Sequence, residues 1–173
     1  LLNDVVNHVV IYVITTKNGL FHVENVFQHT GLYVYDMQVA DNKLILLAGK
    51  TLNNHKAVSE GYVFTPETLQ LKRLFYIEDN IMSMAFDSEL DNVFVSSGGS
   101  LYRYSLDSFK GKPVLAVSGI RDMLVYKGNL YVNQQSTFMN GYQGPSKLSI
   151  YDTDSLTLKT EMLGDFGKIV AKN

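Results

Sequence analysis

Asp36, Ser83 and Asp122 stand at the same step of a short motif that recurs along this sequence, each followed directly by a methionine. A fold that superposes the motifs brings two carboxylates and a hydroxyl to equivalent places. Oxygen donors of this kind suit a hard cation such as Ca²⁺, which takes about 6–8 oxygen ligands, and a bound divalent ion can activate water for hydrolysis. Ordinary pairing or hydration is the competing role, with Arg121 beside Asp122 as the obvious neutralising group. A second set of candidates lies in two polar stretches, 50–60 and 136–146. The first carries Asn53, Asn54, His55 and Lys56, and the second carries Phe138, Asn140, Tyr142 and Gln143. Aromatic faces beside planar amides are the groups that hold sugars, although a solvated loop has the same composition.

Other chemistry finds no support in the residues. His8, His22, His29 and His55 have no partner at zinc-ligand spacing, and His22 reads as a half-buried packing residue of a strand. The sequence has no cysteine, so disulfides, thiolate metal sites and thiol nucleophiles are excluded. No G-x-S-x-G elbow occurs, and the glycines of Asn18-Gly19, Gly98-Gly99 and Gly128-Asn129 read as hairpin turns rather than phosphate loops. A net charge of -2, with 17 acidic and 15 basic residues and no run of five like charges, argues against nucleic acid and against a membrane surface. The longest apolar run, 9–14, is far shorter than the ~20 residues of a spanning helix, and no secretory leader is legible. In all, 46% of the 173 residues are hydrophobic, enough to build a sizeable core.

What must position these residues is a set of strands. Short runs of Val, Ile, Leu, Tyr and Phe alternate with Gly, Asn and Asp punctuation, and no window sustains helical spacing. Tyr35-Asp36-Met37-Gln38-Val39 aligns without gaps to Arg121-Asp122-Met123-Leu124-Val125, and Ser83-Met84-Ala85-Phe86 fits the same frame. Weaker matches are Asn3-Asp4-Val5-Val6 and Gly167-Lys168-Ile169-Val170. The steps from position 3 through 36, 83, 122 and 167 are 33, 47, 39 and 45 residues, near the ~40–50 of a four-stranded propeller blade. Strands at 120–126, 130–134, 147–151 and 156–162 make the clearest unit. Alternation sets Met37, Met84 and Met123 on one face as packing between blades, and sets Asp36, Ser83 and Asp122 on the other, toward a central channel.

The expected fold is therefore all-β: a β-propeller of about four blade repeats of four antiparallel strands plus one extra inner strand. The units are 1–31, 32–78, 79–118, 119–163 and a partial 164–173, in one domain or propeller fragment. The first unit is short for a blade. Exposed edges at either end call for further blades or another chain, which makes the whole part of a larger ring.

Leu130-Tyr131-Val132-Asn133 and Ile150-Tyr151-Asp152-Thr153 resemble the YVTN family of β-propeller repeats, with a partial echo at Ile11-Tyr12-Val13. Asn133 stands one place earlier than that family's asparagine, and no other unit repeats it. The WD-type propeller is the alternative, with Tyr151-Asp152 in place of its Trp-Asp, but no tryptophan is present. The YVTN resemblance implies a seven-bladed ring and a secreted, periplasmic or bacterial cell-surface protein. Long loops on one face of a repeat scaffold are the usual place for recognition. The leading expectation is thus a non-catalytic scaffold, without a cofactor, that binds a protein or glycan on the face bearing 50–60 and 136–146. The alternative is a propeller hydrolase or lactonase with a divalent metal, Ca²⁺, held by Asp36, Ser83 and Asp122.

Overall fold

β-Branched and aromatic residues at alternate positions, closed by tight turns, fold into fourteen strands with no helix among the described residues. The computed structural model describes residues 8–30, 33–40, 43–51, 57–79, 81, 83–135 and 144–171. A hairpin of β1 (His8–Lys17) and β2 (Leu20–Thr30) comes first. Three four-stranded antiparallel sheets follow. They are β3 (Tyr33–Ala40), β4 (Lys43–Thr51), β5 (Ala57–Thr65) and β6 (Gln70–Ile77); then β7 (Met84–Asp87), β8 (Asn92–Ser97), β9 (Ser100–Ser105) and β10 (Gly111–Ala116); then β11 (Ile120–Tyr126), β12 (Asn129–Gln134), β13 (Lys147–Asp152) and β14 (Leu158–Leu163). Each sheet is a plain meander whose strands pair in chain order. Asn18-Gly19, Gly98-Gly99 and Lys127-Gly128 all take positive φ, as a two-residue hairpin turn requires.

The sheets stack face to face, and the core lies between them. Ile45, Leu47, Val63 and Phe75 of one sheet pack on Met84, Val93 and Val95 of the next. Ala85, Phe94 and Leu101 of that sheet then pack on Met123, Leu130 and Val132 of the last. Gly61 and Gly111 lie under the rings of Phe75 and Tyr104, where a Cβ has no room, and those two rings meet across the sheets at 4.9 Å between centroids.

The methionine frame holds at two positions and fails at one. Met84 and Met123 are 1% and 3% exposed, but Met37 is 61% exposed. The physical reason is coverage. Met84 and Met123 each face a complete preceding sheet, whereas Met37 faces the hairpin, which reaches the middle of the sheet through Phe27 on Phe64 (centroids 5.2 Å apart) and leaves Tyr33, Tyr35, Met37 and Val39 of β3 exposed. Four strands were expected in the first unit; the described residues there form two. Residues 164–171 form no strand, in place of the extra inner strand expected. The stretch 50–60 is less of a loop than its polarity suggested, because β4 runs to Thr51 and β5 starts at Ala57, with Val58, Ser59 and Glu60 buried. His22 is exposed on β2 rather than half-buried. No described helix is long and apolar enough to cross a membrane.

Candidate functional site

The innermost strands β3, β7 and β11 each leave one backbone edge without a strand partner, and buried N–H and C=O groups on such an edge must be satisfied elsewhere. Side chains of the preceding inner strand do this. The Gln38 amide acts like a short strand: its Nε2 donates to the Met84 carbonyl at 2.9 Å and its Oε1 accepts the Phe86 N–H at 2.9 Å. Ser83 Oγ accepts the Met123 N–H at 3.0 Å. Asp122 Oδ2 accepts the Ile169 N–H at 2.7 Å. Asp36 Oδ1 accepts the N–H of its own neighbour Met37 at 2.9 Å.

The segment after β14 is led back to this edge by side chains of β12 and the residue after it. Asn133 Nδ2 donates to the carbonyls of Phe166 and Gly167, at 2.8 and 2.7 Å. Gln135 Nε2 donates to Asp165 and to the Phe166 carbonyl. Arg121 hydrogen-bonds Gln135 rather than Asp122. With 165–169 held in this way, Lys168 comes within electrostatic reach of Asp36, as does Asp122. Asp122, which takes the Ile169 N–H, and Lys168 one residue earlier thus lie near enough to Asp36 for their charges to act on it. Burial pushes the Asp36 carboxyl above its ordinary value, and the charge of Asp122 adds to this; the Met37 N–H, Lys168 and Gln38 pull the other way. The result is a carboxyl group that holds its proton more tightly than a free one.

The three residues singled out as cation ligands thus sit along one edge, half-buried or buried. Each also serves backbone satisfaction, and Lys168 supplies a cation of the chain's own. Among the described residues no three His, Asp or Glu side chains are gathered to hold a metal ion. Asn53, Asn54, His55 and Lys56, and Phe138, Asn140, Tyr142 and Gln143, lie outside the described residues. Gln38 and Lys168 were missed by sequence reasoning. Lys168 had a signal, its place in the Gly167-Lys168-Ile169 match to the repeat; Gln38 had none, since a lone amide in a strand marks no role.

No family model matches the sequence, and no curated relative matches it. Solved structures do. An acylaminoacyl peptidase of Pyrococcus horikoshii superposes with a TM-score of 0.62 at 13% identity, over 78% of this chain and 25% of its own. The β-propeller domain of the Trilobed protease from Pyrococcus furiosus, described as having an open velcro topology, superposes with a TM-score of 0.59 at 13% identity, over 78% of this chain and 43% of its own. The fold is a β-propeller. Each stacked sheet is a blade, β3, β7 and β11 are inner strands, and the edge that gathers Asp36, Asp122 and Lys168 faces the propeller axis. This chain spans less than half the length of either neighbour, and neither match distinguishes a YVTN from a WD repeat.

Proposed function

We propose that this chain is the propeller part of a hydrolase acting on peptides, and that its axial cluster meets the ligand while bond cleavage takes place on other residues. The observation that carries this reading is the convergence of Asp36, Asp122 and Lys168 on the axis, in a fold whose neighbours are a peptidase and a protease. Carboxyl and ammonium groups on one edge complement the two ends and the charged side chains of a peptide. On this reading the axial cluster serves binding and admission of the ligand. The open blade faces at β1 and β3, with exposed Val10, Tyr12, Ile14 and Met37, call for further blades or another chain as neighbours.

The test uses the natural polypeptide that carries this chain, with short peptide substrates and a matched Asp36→Asn/Asp122→Asn variant. The expected result is peptide hydrolysis in which the variant raises KM several-fold for peptides with a free amino terminus and leaves kcat unchanged, with or without a chelator. Absence of hydrolysis, or a variant with unaltered KM, contradicts the reading. Loss of activity to a chelator, restored by Ca²⁺, would favour a metal-dependent hydrolase at the channel mouth instead.

A further inference from the structure

On the face of the propeller formed by the β7–β8 and β9–β10 turns, a groove of about 470 Å³ runs between the second and third complete blades. It is lined by Asn92, Arg103, Ser105, Lys110 and Lys112 from one blade and by Asp154 from the next. Three cations therefore face one carboxylate. Arg103 and Lys112 are direct cross-strand partners in the β9–β10 register, so their side chains leave the same face of the sheet side by side. Like charges directly opposite each other oppose folding. Among the described residues, neither Lys110 nor Lys112 has an ion pair or side-chain hydrogen bond to offset this.

The groove is held firm by its surroundings. The Leu106 N–H donates to the Asp91 carbonyl at 3.0 Å and ties the two turns together, and the Ser105 N–H donates to the Lys110 carbonyl at 3.0 Å. Leu106 is buried in the core, with Phe109 packed against it. Arg103 Nη1 donates to the carbonyls of Thr153 and Asp154 at 3.4 and 3.2 Å, which anchors the guanidinium across the blade boundary. Arg103 is thus fixed on this framework, with Lys110 and Lys112 beside it, and the three cations outnumber the one carboxylate of the groove.

We infer that this groove is an anion-binding site, in which Arg103, Lys110 and Lys112, with Ser105 and Asn92 as neutral donors, hold a carboxylate or phosphate group carried by a ligand. An anion seated there offsets the Arg103/Lys112 repulsion, and guanidinium and ammonium groups bind such oxygens through charge-assisted hydrogen bonds. The site lies at the blade boundary, away from the axial cluster, and does not depend on the peptide reading above.

The experiment is a titration of the chain at fixed ionic strength, chloride being exchanged for inorganic phosphate in one arm. In the other, an acetylated tri-glutamate peptide is added, with tri-lysine as control. Amide chemical shifts over 92 and 103–112 and the thermal midpoint are followed. Saturable shifts confined to those residues, a raised Tm, and at least a tenfold loss of affinity in Lys110→Gln/Lys112→Gln are expected. The tighter arm then identifies the source of the anionic group. Shifts that never saturate, or that persist unchanged in the variant, overturn the site. In chloride alone the variant should have the higher Tm, because the cross-strand repulsion is gone; a variant no more stable than the natural chain refutes the argument from repulsion and the proposal with it.

Discussion

Truncating Met37, Met84 and Met123 to alanine, one at a time, separates the repeat frame from the packing it creates. The three side chains share one position in the motif, but Met84 and Met123 are 1% and 3% exposed against 61% for Met37. Met84 fills the space between Val93, Val95 and Ile45, and Met123 meets Phe94, Leu101 and Ala85. Removing a buried methionine loses its transfer free energy and leaves a cavity, at about 2–5 kcal/mol. An exposed site with no such contacts stays within about 0.5 kcal/mol. Urea unfolding at constant m-value reads the difference directly. Met84→Ala and Met123→Ala should shift the midpoint strongly and Met37→Ala hardly at all. Equal losses at all three would mean that the face of β3 is covered like the others, and would refute the reasoning from blade coverage.

Asp36 holds its proton more tightly when folded, so the folded state binds more protons than the unfolded chain between the ordinary value of 3.8 and the raised one. Stability from this group therefore falls as pH rises through that window. Asp36→Asn, which keeps the acceptor for the Met37 N–H, should be more stable than the natural chain at neutral pH, the gap closing below pH 3.8; a gap independent of pH contradicts this. Gly61→Ala places a methyl in the Phe75 ring and should cost about 1–3 kcal/mol by overpacking, partly recovered when Phe75→Leu is added; a neutral Gly61→Ala argues against the close approach. Tyr62→Phe removes the hydroxyl that donates to buried Glu60 at 2.6 Å. It should destabilise by about 1–3 kcal/mol, because a buried carboxylate loses its donor; an unchanged urea midpoint contradicts this.

The all-β reading was legible because period-two alternation and turn residues are local signals. The last blade shows this: its strands at 120–126, 130–134 and 147–151 were read to within a residue or so of β11, β12 and β13. Asp152 illustrates the same point, since its carboxylate gathers the N–H groups of Asp154 and Ser155 within the turn, and the neighbouring residues alone dictate that. What escaped was non-local. Met37 carries the same local signal as Met84, and only the missing cover over β3 exposes it. Gln38 looks like a solvated strand amide until β7 arrives with two unpaired backbone groups. Arg103 and Lys112 are nine residues of turn and strand apart in sequence, and their confrontation depends on a cross-strand register that no composition reveals.

Amide hydrogen exchange at Phe86 and Met123 tests the account most directly, because these N–H groups lie on inner-strand edges that no neighbouring strand protects. If adjacent blades are stitched by Gln38 and Ser83, both amides exchange slowly in the natural chain. Gln38→Ala should then speed exchange at Phe86 and spare Met123, and Ser83→Ala should do the reverse. Rapid exchange at both amides in the natural chain would contradict the stacking of blades around a common axis on which the fold and the axial site both rest.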